Sequence, residues 1–158
     1  MTATFAAPAR AAPAPGFYIA SLAGDGSMMA LVGSAGIEPL VGTQRVAEVY
    51  YLDRFGAHDE RYVESFDCQN HRRHRISGDD FIVAEDNSDI LVGPPNASSA
   101  DDDDPAGTMV GAVELFVCQW PTSVRDQTPI TGVPEDPRMR MLTLGVSIKQ
   151  ALAKSGDP

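Results

Sequence analysis

The stretch from Arg45 to Ser77, RVAEVYYLDRFGAHDERYVESFDCQNHRRHRIS, constrains this chain more than any other. Its first run closes on Tyr50, Tyr51 and Leu52. Phe55-Gly56-Ala57-His58-Asp59 then supplies the polar, glycine-containing reversal that paired strands use. In the second run a period of two puts Tyr62, Glu64, Phe66 and Cys68 on one face, and Val63, Ser65, Asp67 and Gln69 on the other. Two aromatics and a cysteine mark the first face as the core side, with Glu64 near its rim. The hairpin therefore reads as the middle of an antiparallel sheet.

The flanking sequence extends that sheet. Phe17-Tyr18-Ile19-Ala20 reads as a short strand, Ala23 to Ser27 as a turn, and Met28 to Val32 as a second strand broken by Gly33-Ser34-Ala35-Gly36. Ile37 to Val41 is an irregular segment or an edge piece, because Pro39 has no N–H for a ladder. Beyond Ser77, Gly78-Asp79 reads as a turn, Phe81 to Ala84 as a further strand, and Ile90-Leu91-Val92 as another short one. Strands recurring roughly every 8–12 residues with turn signals between them point to an antiparallel meander.

Helical signals come later. Gly93 to Gly107, GPPNASSADDDDPAG, is a loop by composition. Thr108 to Val117 carries Met109, Ala112, Val113, Phe116 and Val117 at helical spacing and is expected to end near Cys118. The aspartates just upstream suit a helix N-terminus, and Gly111 weakens the helix by about 1 kcal/mol relative to Ala. Pro121, Pro129, Pro134 and Pro137 make 120–137 a linker, with Asp136-Pro137 as an N-cap followed by a first-turn proline. Met141, Leu144, Ile148 and Leu152 then form an apolar stripe with Lys154 and Gly156 as stop signals. A strand with Leu142, Leu144, Val146 and Ile148 on one face competes; the cap and stop signals favour the helix.

The expected architecture is α+β: an antiparallel β-sheet meander of five to six strands with one packed helix and a C-terminal helical appendage. The domain spans 17–120, between an Ala/Pro-rich arm over 1–16 and a Pro-rich linker and helix over 121–158. No internal repeat is visible. The 158 residues suit one domain with a real core, and 43% hydrophobic content is ordinary for a globular protein.

Charge narrows the partners. A net charge of −10 and a pI near 4.5 argue against nucleic acid and against an anionic membrane surface. Six of the twelve basic residues lie within Arg45–Ser77, whereas 79–104 holds nine acidic residues and no basic one. No run of about 18 apolar residues is present, so no transmembrane segment is expected. The first sixteen residues, MTATFAAPARAAPAPG, lack the charged and apolar regions of a signal peptide. Such a composition is left behind around signal cleavage sites and is equally that of a plain flexible tail.

Few residues point to chemistry. Cys68 and Cys118 are either a staple between sheet and helix, which for a loop of that size stabilises by about 4 kcal/mol on the chain-entropy model, or two buried thiols. Cys68, His71 and His74 suggest a metal cluster. Positions three apart on a strand point to opposite faces, however, and a structural zinc needs four ligands, so no metal site is expected. Arg72, Arg73 and Arg75, with His74, bind a phosphate, a polyanion or an acidic protein surface, or else keep a rim strand soluble. Asp101 to Asp104 lack the alternation of an EF-hand loop and read as a solvated loop. Trp120 is a partner-facing anchor or a cover for the core edge. The stripe of Met141, Leu144, Ile148 and Leu152 packs on its own domain or docks into another chain. No nucleophile elbow, phosphate-cradling loop or His-Glu-x-x-His helix is present, so neither a catalytic residue nor a cofactor is expected.

The run Val46–Asp53, then Tyr62-Val63-Glu64-Ser65-Phe66-Asp67-Cys68, then Arg72, Arg75, Ile76 and Ser77, and finally Pro105-Ala106-Gly107-Thr108 leading to Phe116-Val117-Cys118, resembles the surface-adhesin protein E family. Asp25-Gly26 and the Met28–Val32 strand fit the family's opening. The likeness covers about residues 17–120. It implies a small antiparallel sheet with a packed helix, a Cys68–Cys118 disulfide, export to the periplasm or cell surface, and no catalysis. Founding members bind host matrix proteins, but most such domains have no known ligand, so the resemblance carries none with it. Three features depart from the family: Phe17-Tyr18 in place of an early tryptophan, the aspartate run, and the tail after Cys118. The function expected is that of a non-enzymatic exported envelope protein that binds a protein partner or itself. The alternative is a structural subunit of a larger assembly, with arm and tail as connectors.

Overall fold

A computed structural model describes residues 11–24, 26–37, 42–53, 58–83, 90–93, 102–103, 108–136 and 139–145. Five strands form an antiparallel sheet in chain order: β1 (Phe17–Leu22), β2 (Met28–Gly33), β3 (Gln44–Asp53), β4 (His58–Asp67) and β5 (Arg72–Val83). Two short segments, β6 (Ile90–Gly93) and β7 (Asp102–Asp103), pair with opposite ends of β5. One helix, α1 (Met109–Cys118), and a second helical stretch over 139–145 complete the α+β fold.

The two halves of the central hairpin run in register from Gln44↔Asp67 to Tyr51↔Glu60. Directly paired residues share a face, so Ala47, Val49 and Tyr51 join Tyr62, Glu64 and Phe66 on one side. Tyr18, Ala30 and Val32 continue that side through β1 and β2. α1 lies over it with Val113, Phe116 and Val117, the i, i+3, i+4 stripe that faces a core. Thr108 caps the helix, its Oγ1 accepting from Gly111 N at 3.0 Å. Of the aspartates expected to serve the helix N-terminus, Asp102 and Asp103 belong to β7 instead; Asp101 and Asp104 lie outside the described residues.

The disulfide between Cys68 and Cys118, with Cα atoms 5.6 Å apart, joins the turn after β4 to the last residue of α1. That turn, Cys68 to His71, reverses the chain between β4 and β5. Asp67 organises it: its carboxylate accepts from Gln69 N at 3.1 Å, Asn70 N at 3.2 Å and Asn70 Nδ2 at 2.7 Å. His71 closes the turn at φ 56°, a left-handed conformation in which histidine is among the better tolerated residues.

The opposite face of the sheet is covered by the end of the chain. After α1 a 3-10 turn over Thr122–Val124 leads to the outer edge of β1, where Ile130 exchanges backbone hydrogen bonds with Phe17 at 2.8 and 3.0 Å. Gln127 Nε2 donates to Ile19 O at 3.0 Å, so Phe17 and the Ile19 carbonyl are both engaged on that edge. The chain then crosses to the far face. Met141 and Leu144, both fully buried, pack with Phe17, Met29, Leu31, Tyr50 and Leu52. Burying each such side chain contributes about 1.5–3 kcal/mol. Asp136 caps this stretch as the sequence suggests, accepting from Met139 N at 2.9 Å.

Gly78-Asp79 does not turn the chain. Both residues lie inside β5, which runs unbroken from Arg72 to Val83 and absorbs one irregularity opposite Val63/Glu64, where Ile76 is the extra residue. Gly78 sits opposite Tyr62, and a Cβ there would collide with the Tyr62 ring and lie 2.9 Å from Arg61 O. The glycine is a site of close approach, the other use of glycine within a strand.

Candidate functional site

Strand alternation divides the basic cluster into two pairs. Arg73 and Arg75 turn to the α1 side and close on Glu64, with Arg73 Nη1 at 3.0 Å and Arg75 Nε at 3.2 Å from Oε1. The other carboxylate oxygen accepts from Tyr51 Oη at 3.1 Å. Arg75 also stacks over the Tyr62 ring, 3.8 Å from its centroid. Glu64, expected near the rim, is 0% exposed. A carboxylate at that depth needs compensating partners, and the arginines two residues apart on the neighbouring strand are placed to provide them. Burial, and then the Glu64 charge, hold the Tyr51 phenol well above its ordinary pKa, so it stays a donor.

Arg72 and His74 alternate to the other side and are exposed. With Gln44, Ser65 and Asp67 they border a shallow groove of about 160 Å³ at one end of the far face, which Arg73 also lines. The register brings them together: Gln44 pairs with Asp67, Asp67 with Arg72, and Ser65 with His74. Asp67 is committed to the adjacent turn. The Asn70 side-chain amide, above all, holds its carboxyl below the usual carboxylate range. The corner therefore presents an arginine fork and an imidazole on a base fixed by strand pairing and by the disulfide-bonded turn. A guanidinium so placed suits a planar carboxylate, which it binds through two parallel hydrogen bonds.

At the opposite end of the same face, Glu48 is the hub of a second ionic group. Arg61 Nε lies 2.6 Å from its Oε1, Arg140 Nη1 lies 3.1 and 3.2 Å from its two oxygens, and Tyr50 Oη donates at 2.6 Å. Burial raises the Glu48 carboxyl, but the hydrogen bonds from Tyr50 and Arg61 and the two positive charges outweigh it and leave the pKa lowered. Burial and the bond to Glu48 push Tyr50 up to about 12. Arg140 also donates to Pro134 O at 2.8 Å, tying the last helix to the segment before it. Glu48, Arg61 and Arg140 were not among the residues singled out from sequence. Glu48 and Arg61 lie on one face of the hairpin by alternation, and only the fold brings Arg140 to them.

The remaining candidates have structural surroundings. Trp120 is half-buried and packs edge-on against Tyr18, with ring centroids 5.6 Å apart, and against Phe116 at 6.2 Å. Met141 and Leu144 are buried as described; Ile148 and Leu152 lie outside the described residues. Cys68 is bonded to Cys118. His71 Nδ1 lies 2.7 Å from Oε1 of Glu114, a buried residue of α1, one turn from the disulfide. A second cavity of about 230 Å³, lined mainly by Ala11, Pro13, Tyr18, Pro121, Val124 and Pro129, adjoins the start of β1.

Together these features define a class: a disulfide-stapled α+β domain whose ionic groups, among the described residues, mostly hold its elements together, with an exposed polar corner at Arg72 and His74. No family model matches the chain, and neither a curated protein nor a solved structure matches it.

Proposed function

We propose that this chain is a non-enzymatic binding module of the bacterial envelope, exported to the periplasm or cell surface, akin to the surface-adhesin protein E domains. Its sheet counts Ile90–Gly93 as a sixth strand, and it takes a protein partner at the corner formed by Arg72 and His74. The observation that carries the reading is the Cys68–Cys118 bond, which joins a strand end to a helix end across 50 residues. Disulfides that tie separate elements of a fold persist in oxidising compartments and are rare in the reducing cytosol. The binding role draws on the exposed Arg72 and His74, and the non-enzymatic role on a sequence without a recognised catalytic pattern.

The test is thiol accessibility in protein taken from the native organism without reduction. Both cysteines are expected to resist alkylation under denaturing, non-reducing conditions, to become reactive after reduction, and to fractionate with envelope material. Free, alkylatable thiols in freshly quenched cells would remove the basis for export.

A further inference from the structure

The basic end of β5 is paired on both sides. β4 lies along one side, and on the other the two-residue strand β7 runs antiparallel, with Asp103 opposite Arg72 and Asp102 opposite Arg73. β6 pairs at the far end of β5, from Asp80 to Val83. A two-residue strand is the shortest addition an edge can take, and aspartate is among the residues strands accept least. Four consecutive aspartates also repel one another. What suits this sequence to the position is the end of the strand it meets: Arg72, opposite Asp103, is exposed, whereas Arg73 and Arg75 are held by Glu64.

We infer that this edge of β5 is a strand-addition site for an extended, acidic polypeptide segment of a partner, and that Asp102–Asp103 occupies it in cis as a weak stand-in. The inference rests on the partner-binding reading above and names the partner's chemistry. Main-chain hydrogen bonds to the edge supply affinity, and the exposed Arg72 guanidinium selects acidic sequence. The partner is a polypeptide because only a peptide backbone can pair with the N–H and C=O groups that β7 uses.

The experiment titrates a fluorescein-labelled peptide of sequence SADDDDPAG into the full chain and follows polarisation. One arm uses the parent protein, and another a variant carrying Asp101→Ser, Asp102→Ser, Asp103→Ser and Asp104→Ser. A cis strand that holds the edge about nine-tenths of the time weakens apparent affinity about tenfold, so the variant is expected to bind about tenfold tighter than the parent. Adding Arg72→Glu to the variant is expected to abolish that gain; Arg72 is exposed, and a thermal melt checks that the fold is retained. A peptide N-methylated on alternate aspartates is expected to lose binding. Equal binding by parent and variant overturns the inference. So does binding of the N-methylated peptide or of inorganic polyphosphate as tight as that of the plain peptide, since charge alone would then explain it. Either failure leaves the thiol-accessibility result, and with it the envelope assignment, standing.

Discussion

Tyr62 and Gly78 depend on each other. The ring lies where a side chain on residue 78 would go, and Arg75 stacks on that same ring. Gly78→Ala forces the ring or the strand to move, and overpacking of this kind costs about 1–3 kcal/mol. Urea denaturation should show the midpoint falling accordingly; a change within about 0.5 kcal/mol, typical of an indifferent surface site, would mean that the ring yields freely. Glu64 is the second decisive residue. Glu64→Gln keeps the shape and removes the charge, leaving Arg73 and Arg75 facing a neutral amide at a buried site. Breaking one side of a buried ion pair costs about 3–5 kcal/mol, and the same denaturation measurement reads it. Loss of less than about 1 kcal/mol would show the arginines to be satisfied without it.

At the scale of elements, α1 illustrates why local signals are insufficient. Ten residues with a glycine at 111 are too few to be helical alone in water. The helix holds because Val113, Phe116 and Val117 cover the sheet and Cys118 is bonded to Cys68. Thr108 fixes where it starts. Thr108→Ala removes the side-chain acceptor for Gly111 N and is expected to cost about 1 kcal/mol, with faster amide exchange confined to the first turn of α1. Uniformly faster exchange along α1 would show that the cap supports the whole element. The basic strand makes a related point, because alternation makes neighbours in sequence into residues with different tasks. Arg73 and Arg75 neutralise a buried carboxylate, whereas Arg72 and His74 border the groove.

For the molecule as a whole, the decisive feature is that both sheet faces are covered by the same chain. α1 takes one, and the chain passes the β1 edge to cover the other with Met141 and Leu144. The Glu48 group hooks that last helix to the hairpin, which makes its attachment pH-dependent. The Glu48 pKa is lowered in the fold, so its contribution is present above the unfolded value of 4.5 and is lost as pH falls through the lower folded value. Tyr50 is raised from 10.0 to about 12, so its contribution is whole below pH 10.0 and is lost as pH climbs to about 12. Thermal melts across pH should therefore show stability declining below about 4.5 and again above about 10. Arg140→Ala is expected to flatten the acid limb, because it removes a charge that lowers Glu48, and to deepen the alkaline limb, because that same charge holds the Tyr50 pKa down. Unchanged limbs would detach the tail helix from this ionic group.

The amino-acid order by itself determined the local periods and the punctuation. Apolar runs between turn signals marked the first two strands, alternation marked the second run of the hairpin and its core face, and the 3.6-residue stripe marked α1. Asp136 before Pro137 was legible as a cap because its partner is an N–H only three residues away. Tertiary structure decided whatever depends on who sits across the sheet. Gly78 carries the same local signature as a turn glycine, and only Tyr62 opposite it makes it a strand residue. Glu64 belongs in the interior only because two arginines on the next strand meet it there. The groove at Arg72 is assembled from β3, β4 and β5 by register. Short-range order is written in backbone preferences that act over a few residues. Pairing across tens of residues is settled by burial and charge balance, which exist only once the chain has closed.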